Sequence, residues 1–232
     1  KAYPMSINVE EVQGMANTPR ALEYETRLAA QTNEMNIVRI DRAEPNRNIV
    51  RGFKAFGLML SKYPELRGRV NFLAFLVPSR THIRQYQRYM DDIQQTVNHV
   101  NQTYGTGDWK PIQTFVENNY TQALAGMKLY DALLVNTIIE GMNLVAKEGP
   151  VVNTKDGVLV ISQTSGVHHQ LAQAALSVSP TDIEGTMQAL YQAITMPKEK
   201  RKKMALTLAE SVCREDITHW LSRQLEDIAK LL

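Results

Sequence analysis

The chain has 232 residues, of which 26 are Lys or Arg and 24 are Asp or Glu, so its net charge is +2. The hydrophobic share of 44% and the charged share of 22% are typical of a globular protein. The near-neutral balance argues against a dedicated nucleic-acid binder, and no apolar run approaches the ~20 residues of a membrane helix. A single cysteine, Cys213, excludes a disulfide framework and a cysteine-based zinc cluster. The composition therefore favours a cytoplasmic enzyme or binding domain.

The first residues, Lys1-Ala2-Tyr3-Pro4, include no Met and no charged segment followed by an apolar one. A secretory signal peptide needs both segments, so none is expected. We expect the sequence to be a piece of a longer chain.

Apolar runs of strand length alternate with longer stretches of helical period. The predicted strands are, in chain order, 36–40, 70–77, 112–116, 132–135, 158–161 and 176–178. The predicted helices are 49–60, 82–102, 120–130 and 142–148, followed by a helical region from Asp182 onward with breaks at Pro197 and near Arg214. Runs of Val, Ile, Leu and Phe indicate strands that are buried on both faces. Their alternation with helices predicts a single α/β domain over residues 1–232, with a doubly wound parallel sheet.

Two arginines follow the first predicted strand. Arg42 and Arg47 lie five positions apart around a Pro-containing turn that leads into the next helix. Helix N-termini offer free backbone amides, and guanidinium groups match phosphate oxygens. This pattern is typical of an anion site at the carboxyl edge of a parallel sheet, where such folds bind ligands. From the spacing alone, two surface arginines paired with Asp41 and Glu44 are an equal alternative.

Further polar residues follow other buried strands. Arg80 comes soon after the second strand, while Glu140 and Gly141 follow the fourth. The next helix is predicted to begin near Met142, with Glu148 about two turns inside it. A carboxylate in that place can accept both hydroxyls of a ribose, although a helical glutamate more often faces water.

Other signals are weak. The chain has no Gly-x-Gly-x-x-Gly after the first strand and no Walker-type loop, which disfavours a dehydrogenase or an ATPase. His168 and His169 lack carboxylates at ligand spacing, so no metal site is expected. Cys213 lies in an apolar helical stripe and is expected to be buried and inert. The last helix carries an apolar stripe of helical period. That stripe consists of Ile217, Trp220, Leu221, Gln224, Leu225, Ile228, Leu231 and Leu232.

Several stretches together resemble glycosyltransferase family 20, the trehalose-6-phosphate synthase family, in order and spacing from about residue 3 to residue 228. The strongest is the run Glu140-Gly141-Met142-Asn143-Leu144-Val145-Ala146-Lys147-Glu148, which differs from the family pattern only at its first position, usually Asp. A second departure is Arg47, where the family usually has Lys. The other stretches are Ile40-Asp41-Arg42-x-Glu44-x-x-Arg47, Tyr63-Pro64-Glu65-Leu66-Arg67-Gly68, Val77-Pro78-Ser79-Arg80, Tyr104-Gly105-x-x-Asp108-Trp109-x-Pro111, Asp156-Gly157-Val158-Leu159-Val160-Ile161-Ser162 and Ala193-x-Thr195-Met196-Pro197.

The resemblance implies the GT-B fold, of which this chain would be the C-terminal, donor-binding Rossmann-like half. It assigns Arg42 and Arg47 as catalytic residues that hold the donor diphosphate, and Arg80 to the acceptor phosphate. Residues 215–232 would form a helix that packs on the N-terminal half. The implied donor-binding residues are Glu140, Gly141, Met142, Asn143, Leu144 and Glu148, the last of which would bind the ribose hydroxyls.

The reaction implied by the resemblance is a retaining glucosyl transfer from UDP-glucose to glucose 6-phosphate. It needs no cofactor and no metal. The expected partners are a nucleotide-sugar, a sugar phosphate and the N-terminal domain of the same protein, with a homo-oligomer possible and no nucleic acid or membrane. The alternatives are a glucosylglycerol-phosphate synthase or pseudo-glycosyltransferase with another acceptor, and a non-catalytic regulatory homologue.

Overall fold

A computed structural model describes residues 1–230. Its centre is a six-stranded sheet in which every neighbouring pair of strands is parallel, in the order β3-β2-β1-β4-β5-β6. The strands are β1 Met35–Arg42, β2 Val70–Val77, β3 Ile112–Val116, β4 Ala132–Val135, β5 Val158–Ser162 and β6 Leu176–Val178. The predicted doubly wound parallel sheet is therefore confirmed.

Helices cover both faces of this sheet. Alternate residues of each strand point to opposite faces, and the chain has a separate apolar cluster on each. Helices α3, α4 and α8 contribute to the first cluster, and α1, α2, α5, α6 and α9 to the second. The helices are α1 Val9–Ala16, α2 Pro19–Ala29, α3 Ile49–Lys62, α4 Arg84–Tyr104, α5 Tyr120–Lys128, α6 Val145–Val152, α7 His168–Leu171, α8 Ile183–Thr195, α9 Lys198–Arg214 and α10 Ile217–Ala229.

The first cluster fixes α3 against the centre of the sheet. Phe53 and Phe56 project from α3 one turn apart, and both meet Phe72 of β2 edge to face, with ring centroids 5.1 and 5.4 Å apart. Fully burying an aromatic side chain stabilises the fold by roughly 1.5–3 kcal/mol. Because α3 directly follows the loop after β1, this packing also fixes the position of that loop.

Two helices were missed, and the end of β1 and the start of α6 differ from the predicted boundaries. Helices α1 and α2 were not anticipated, although Asn8 and Thr18 cap their first turns with side-chain oxygens. Strand β1 extends to Arg42, so this arginine is the last residue of the strand rather than part of the loop. Helix α6 begins at Val145, three residues later than predicted, and Glu148 therefore lies in its first turn.

The C-terminal region is helical, with breaks at Pro197 and just after Arg214, as predicted. The expectation that Cys213 is buried is wrong, because this thiol is exposed. Within residues 1–230, no helix has both the length and the apolar composition that a membrane span requires.

Helix α10 packs against the N-terminal segment of the chain. The indole of Trp220 donates to the carbonyl of Tyr3 at 3.0 Å, and the amide of Ile217 donates to the carbonyl of Ile7 at 2.9 Å. None of the residues of α10 is buried. Its predicted apolar stripe is thus largely uncovered, and the stripe's last members, Leu231 and Leu232, lie outside the described residues.

Candidate active site

The strand order reverses between β1 and β4, which are neighbours in the sheet but far apart in the chain. Ligands of open α/β folds bind at such a point, beyond the carboxyl ends of the strands. Here a cleft of about 320 Å³ opens between the end of β1 and the start of α6. It is lined by Ile40, Asp41, Arg42, Arg47, Val77, Tyr120, Met142, Asn143, Leu144, Val145 and Glu148.

Arg47 is held between two carboxylates. Its Nε lies 3.9 Å from Asp41 Oδ1, and its Nη1 forms an ion pair with Glu140 Oε2. Its side chain is only 15% exposed. Burial raises the pKa of Asp41 to about 6, although the charges of Arg39 and Arg47 act to lower it. The cleft thus has a fixed guanidinium at its floor.

Glu140 binds several side chains around the loop that follows β4. Its Oε1 accepts hydrogen bonds from Thr137 Oγ1 at 2.8 Å, from Asn143 Nδ2 at 2.9 Å and from Ser165 Oγ at 3.3 Å. Its Oε2 pairs with Arg47. In this state the carboxylate is occupied by protein groups, so a sugar hydroxyl would have to displace one of them.

The N-terminus of α6 faces the cleft. Asn143 Oδ1 accepts from the amide of Ala146 at 2.9 Å and so caps the helix. The amides of Leu144 and Val145 meet no acceptor among residues 1–230. Free amides at a helix N-terminus, together with the helix dipole, bind anions. The cleft therefore contains two free amide donors at a helix N-terminus, the groups that anion binding requires.

Glu148 lies beside these amides in the first turn of α6. Its Oε1 accepts a hydrogen bond from the hydroxyl of Tyr120 at 3.0 Å. Burial raises the pKa of Glu148 above its usual range, and the bond from Tyr120 acts to lower it. Burial also raises the pKa of Tyr120, so the tyrosine remains a hydrogen-bond donor.

At the turn after β1, where the sequence predicts an anion site, the first amide of α3 is already paired within the protein. The amide of Ile49 donates to the hydroxyl of Tyr89 at 2.8 Å. Asn48 precedes it with φ of 60°, in the left-handed region. The side-chain Nδ2 of Asn48 donates to the carbonyls of Asn136 at 2.8 Å and Pro180 at 2.6 Å. The asparagine therefore joins the loops after β1, β4 and β6.

The structure brings most of the predicted site residues together but separates some. Arg42 lies at the cleft with its side chain 56% exposed, 3.5 Å from Glu44. Arg80 is exposed in the loop after β2 and donates to the hydroxyl of Tyr86 at 2.7 Å, outside the cleft lining. Gly141 is exposed beside Glu140. A larger depression of about 690 Å³ between α3 and α4 is lined by none of the predicted site residues.

Two residues that form hydrogen bonds with predicted site residues were not identified from the sequence. Tyr120 begins α5 at the same edge of the sheet, and a signal was available because it directly follows a loop after β3. Ser165 reaches Glu140 from the loop after β5. Its neighbour Gly166 must be glycine, since a Cβ there would lie 1.7 Å from the carbonyl oxygen of Gly141. No local pattern indicates such a contact between distant loops.

The model of the family described as glycosyltransferase family 20 matches residues 1–230. The chain belongs to glycosyltransferase family 20. Among curated relatives of this family-20 chain, the trehalose-6-phosphate synthase of Citrobacter koseri is 29% identical over 98% of the chain and 49% of its own length. The bifunctional trehalose-6-phosphate synthase/phosphatase of Thermoproteus tenax is 29% identical over 94% of the chain and 30% of its own length.

Solved structures show the same similarity. An E. coli structure with UDP-2-fluoro glucose bound superposes with a TM-score of 0.91 at 27% identity, over 98% of this chain and 51% of that one. A UDP-forming alpha,alpha-trehalose-phosphate synthase from Burkholderia xenovorans, in complex with glucose-6-phosphate, has a TM-score of 0.91 at 26% identity, over 98% and 50%. The family-20 chain thus spans about half the length of these relatives. Its Rossmann-like sheet corresponds to one half of their GT-B fold.

Proposed function

We propose that this chain is the donor-binding half of a retaining glucosyltransferase, which transfers glucose from UDP-glucose to glucose 6-phosphate. The observation that carries the proposal is the cleft between β1 and α6. It places two arginines, free helix amides and a half-buried glutamate within one volume of about 320 Å³. The relatives named as trehalose-6-phosphate synthases support the same chemistry.

The chemistry follows from charge. As the glycosidic bond of a nucleotide-sugar breaks, negative charge develops on the departing diphosphate. Arg42, Arg47 and the amides of Leu144 and Val145 would stabilise that charge, which is electrostatic catalysis. Arginine is suited to this role because its fork of donors matches phosphate oxygens. Glu148 would accept both ribose hydroxyls, and its bond from Tyr120 orients the carboxylate toward the cleft.

A synthase or pseudo-glycosyltransferase with a different acceptor is the second candidate. The placement of Arg80 favours it, because this guanidinium lies over the ring of Tyr86, 5.3 Å from its centroid, and not in the cleft lining. An acceptor panel tested on the full-length protein distinguishes the two: release of UDP with glucose 6-phosphate alone supports the first candidate, and release only with another acceptor supports the second.

Calorimetry of the 232-residue chain with UDP tests the donor site. We expect UDP to bind, and UDP-glucose with glucose 6-phosphate to give no turnover, because the acceptor side is expected from the other half. The substitution Glu148→Gln should weaken UDP more than 2′-deoxy-UDP. Equal losses for the two nucleotides would remove Glu148 from the ribose site, and robust turnover by this chain would refute the half-site proposal.

A further inference from the structure

A fully buried arginine lies in the middle of β1. Arg39 is 0% exposed, its Nε donates to Asp41 Oδ2 at 2.8 Å, and its Nη2 donates to the backbone carbonyl of Arg47. Removing two charges from water is costly, and apolar residues of similar volume often give equal or greater stability. A contribution to stability therefore does not account for this ion pair.

The fold makes room for Arg39 under α3. Residues 37, 39 and 41 lie on the same face of β1, because side chains two positions apart in a strand share a face. Ile37 belongs to the apolar cluster that contains Phe53 of α3, so this face is the one that α3 covers. Gly52 of α3 lies directly over the guanidinium, where a Cβ would come within 2.5 Å of Arg39 Nη1. The glycine is thus matched to the buried arginine.

Four alternating charges lead from this pair to the cleft. Arg39 contacts Asp41, Asp41 faces Arg47, and Arg47 pairs with Glu140. Two cations and two carboxylates balance within the chain of contacts. The guanidinium of Arg47 lies between the carboxylates of Asp41 and Glu140, and its backbone carbonyl accepts a hydrogen bond from Arg39. Within residues 1–230, no group accepts a hydrogen bond from Arg47 Nη2, and this nitrogen is left for a ligand oxygen.

We propose that Arg39 and Asp41 are positioning residues, which hold Arg47 in the orientation that binds the donor diphosphate. This inference rests on the proposed donor site. Arg39 pairs with Asp41 and donates to the carbonyl of Arg47. Without Arg39 both contacts are lost, and the guanidinium of Arg47 is held less firmly in the cleft.

The first test is a pair of variants of the 232-residue chain, with UDP affinity measured by calorimetry and uridine affinity by NMR titration. Arg39→Met should weaken UDP binding by about tenfold, the lower end for a lost bond to a charged group, and leave uridine binding unchanged. Adding Asp41→Asn to Arg39→Met should lower UDP affinity little further, because both changes release Arg47 from the same chain of contacts. A merely structural role predicts that uridine affinity falls together with UDP affinity.

The second test keeps every charge. Gly52→Ala should displace the Arg39 guanidinium and weaken UDP while sparing uridine. Gly57→Ala in the same helix is the matched control, since its Cβ would meet only Val100 of α4, at 3.0 Å. If UDP binds Arg39→Met and Gly52→Ala as it binds the parent chain, while Arg47→Ala loses affinity, the positioning role is wrong. Failure of the parent to bind UDP refutes the donor site itself.

Discussion

At the scale of single residues, the two arginines of the cleft differ in how they are held. Arg47 is mostly buried between two carboxylates, whereas Arg42 is 56% exposed with one partner. We expect Arg47→Ala and Arg42→Ala each to weaken UDP binding by roughly 1.5–3 kcal/mol, the range for hydrogen bonds to charged groups. Arg47→Ala should also lower the melting temperature more than Arg42→Ala, because it leaves the largely buried carboxylate of Glu140 without its cation. Glu44, the partner of Arg42, keeps a hydrogen bond from Ser79 at 2.8 Å.

Calorimetry with UDP and a thermal melt measure both effects. Arg47→Lys should be milder, since it keeps the charge at the floor of the cleft. Arg69→Ala is the control, because Arg69 is half exposed and pairs with Glu34 at the opposite edge of the sheet. The phosphate assignment is wrong if both cleft variants bind UDP as tightly as the parent.

The buried carboxylate of Asp41 makes the free energy of unfolding depend on pH. Burial raises the pKa of Asp41 from 3.8 to about 6. The positive charges of Arg39 and Arg47 lower this pKa, and the negative charge of Glu140 raises it. Tyr89 is another titratable group near Asp41. The folded chain therefore binds this proton more tightly than the unfolded chain. The resulting stability is fully present below about pH 4 and is lost as pH rises through about 6.

Asp41→Asn removes this titration. From pH 4 to pH 7, the free energy of unfolding of the variant should rise relative to that of the parent by up to about 3 kcal/mol. Urea denaturation at four pH values measures the difference. Glu34→Gln is the control of opposite sign, since Arg69 lowers the pKa of Glu34. A difference that is constant with pH would show that Asp41 ionises normally.

The sequence predicted the site residues that lie next to strand ends, and the reason is geometric. Arg42 ends β1, and Arg47 and Glu148 follow parallel strands, whose carboxyl ends necessarily meet at one edge. Arg39 could not be found in this way, because it lies inside a strand, between two apolar residues. Gly52 of α3, which packs over Arg39, is separated from it in sequence by a loop, and no sequence motif links the two residues. The roles assigned from the family resemblance stay predictions.

At the scale of elements, Asn48 connects three loops at the carboxyl edge. It adopts φ of 60° and donates to the carbonyls of Asn136 and Pro180. Asn48→Gly keeps access to that backbone conformation but leaves both carbonyls without this donor, at a cost of about 1–3 kcal/mol. Asn48→Ala adds left-handed strain of roughly 1–2 kcal/mol.

Urea denaturation should therefore rank the parent above Asn48→Gly, and Asn48→Ala last. If the glycine variant is as stable as the parent, the side-chain bonds of Asn48 contribute nothing, and its backbone conformation alone explains the residue.

The sequence predicted the six strands better than it predicted the start of α6. Helix α6 begins late because the Asn143 side chain binds the amide of Ala146, a local bond that competes with helix formation at Met142. The apolar period alone does not show this competition. For α2 the signal was present, since Thr18 precedes Pro19 at the first helical position, a favourable start for a helix.

At the scale of the whole molecule, α10 presents an apolar face that nothing in residues 1–230 covers. Leu221, Leu225 and Ile228 are 51, 57 and 55% exposed, at i, i+4 and i+7 on one face. Contacts of α10 with the N-terminal segment keep the helix docked, including the bond from Trp220 to Tyr3. These contacts fix the position of α10, so the helix cannot rotate to bury its apolar stripe.

Contiguous exposed apolar surface favours association, so we expect this chain on its own to self-associate through α10. Light scattering over a concentration series should show a mass above that of one chain, and the double substitution Leu225→Glu with Ile228→Glu should return it to a monomer. Leu206→Glu on α9 is the matched control, because Leu206 is 52% exposed but lies outside this stripe. The double variant should retain the parent's UDP affinity, since α10 contributes no residue to the cleft lining. A strictly monomeric parent would show that the exposed stripe does not drive association, and equal loss of association in the control would place the contact elsewhere.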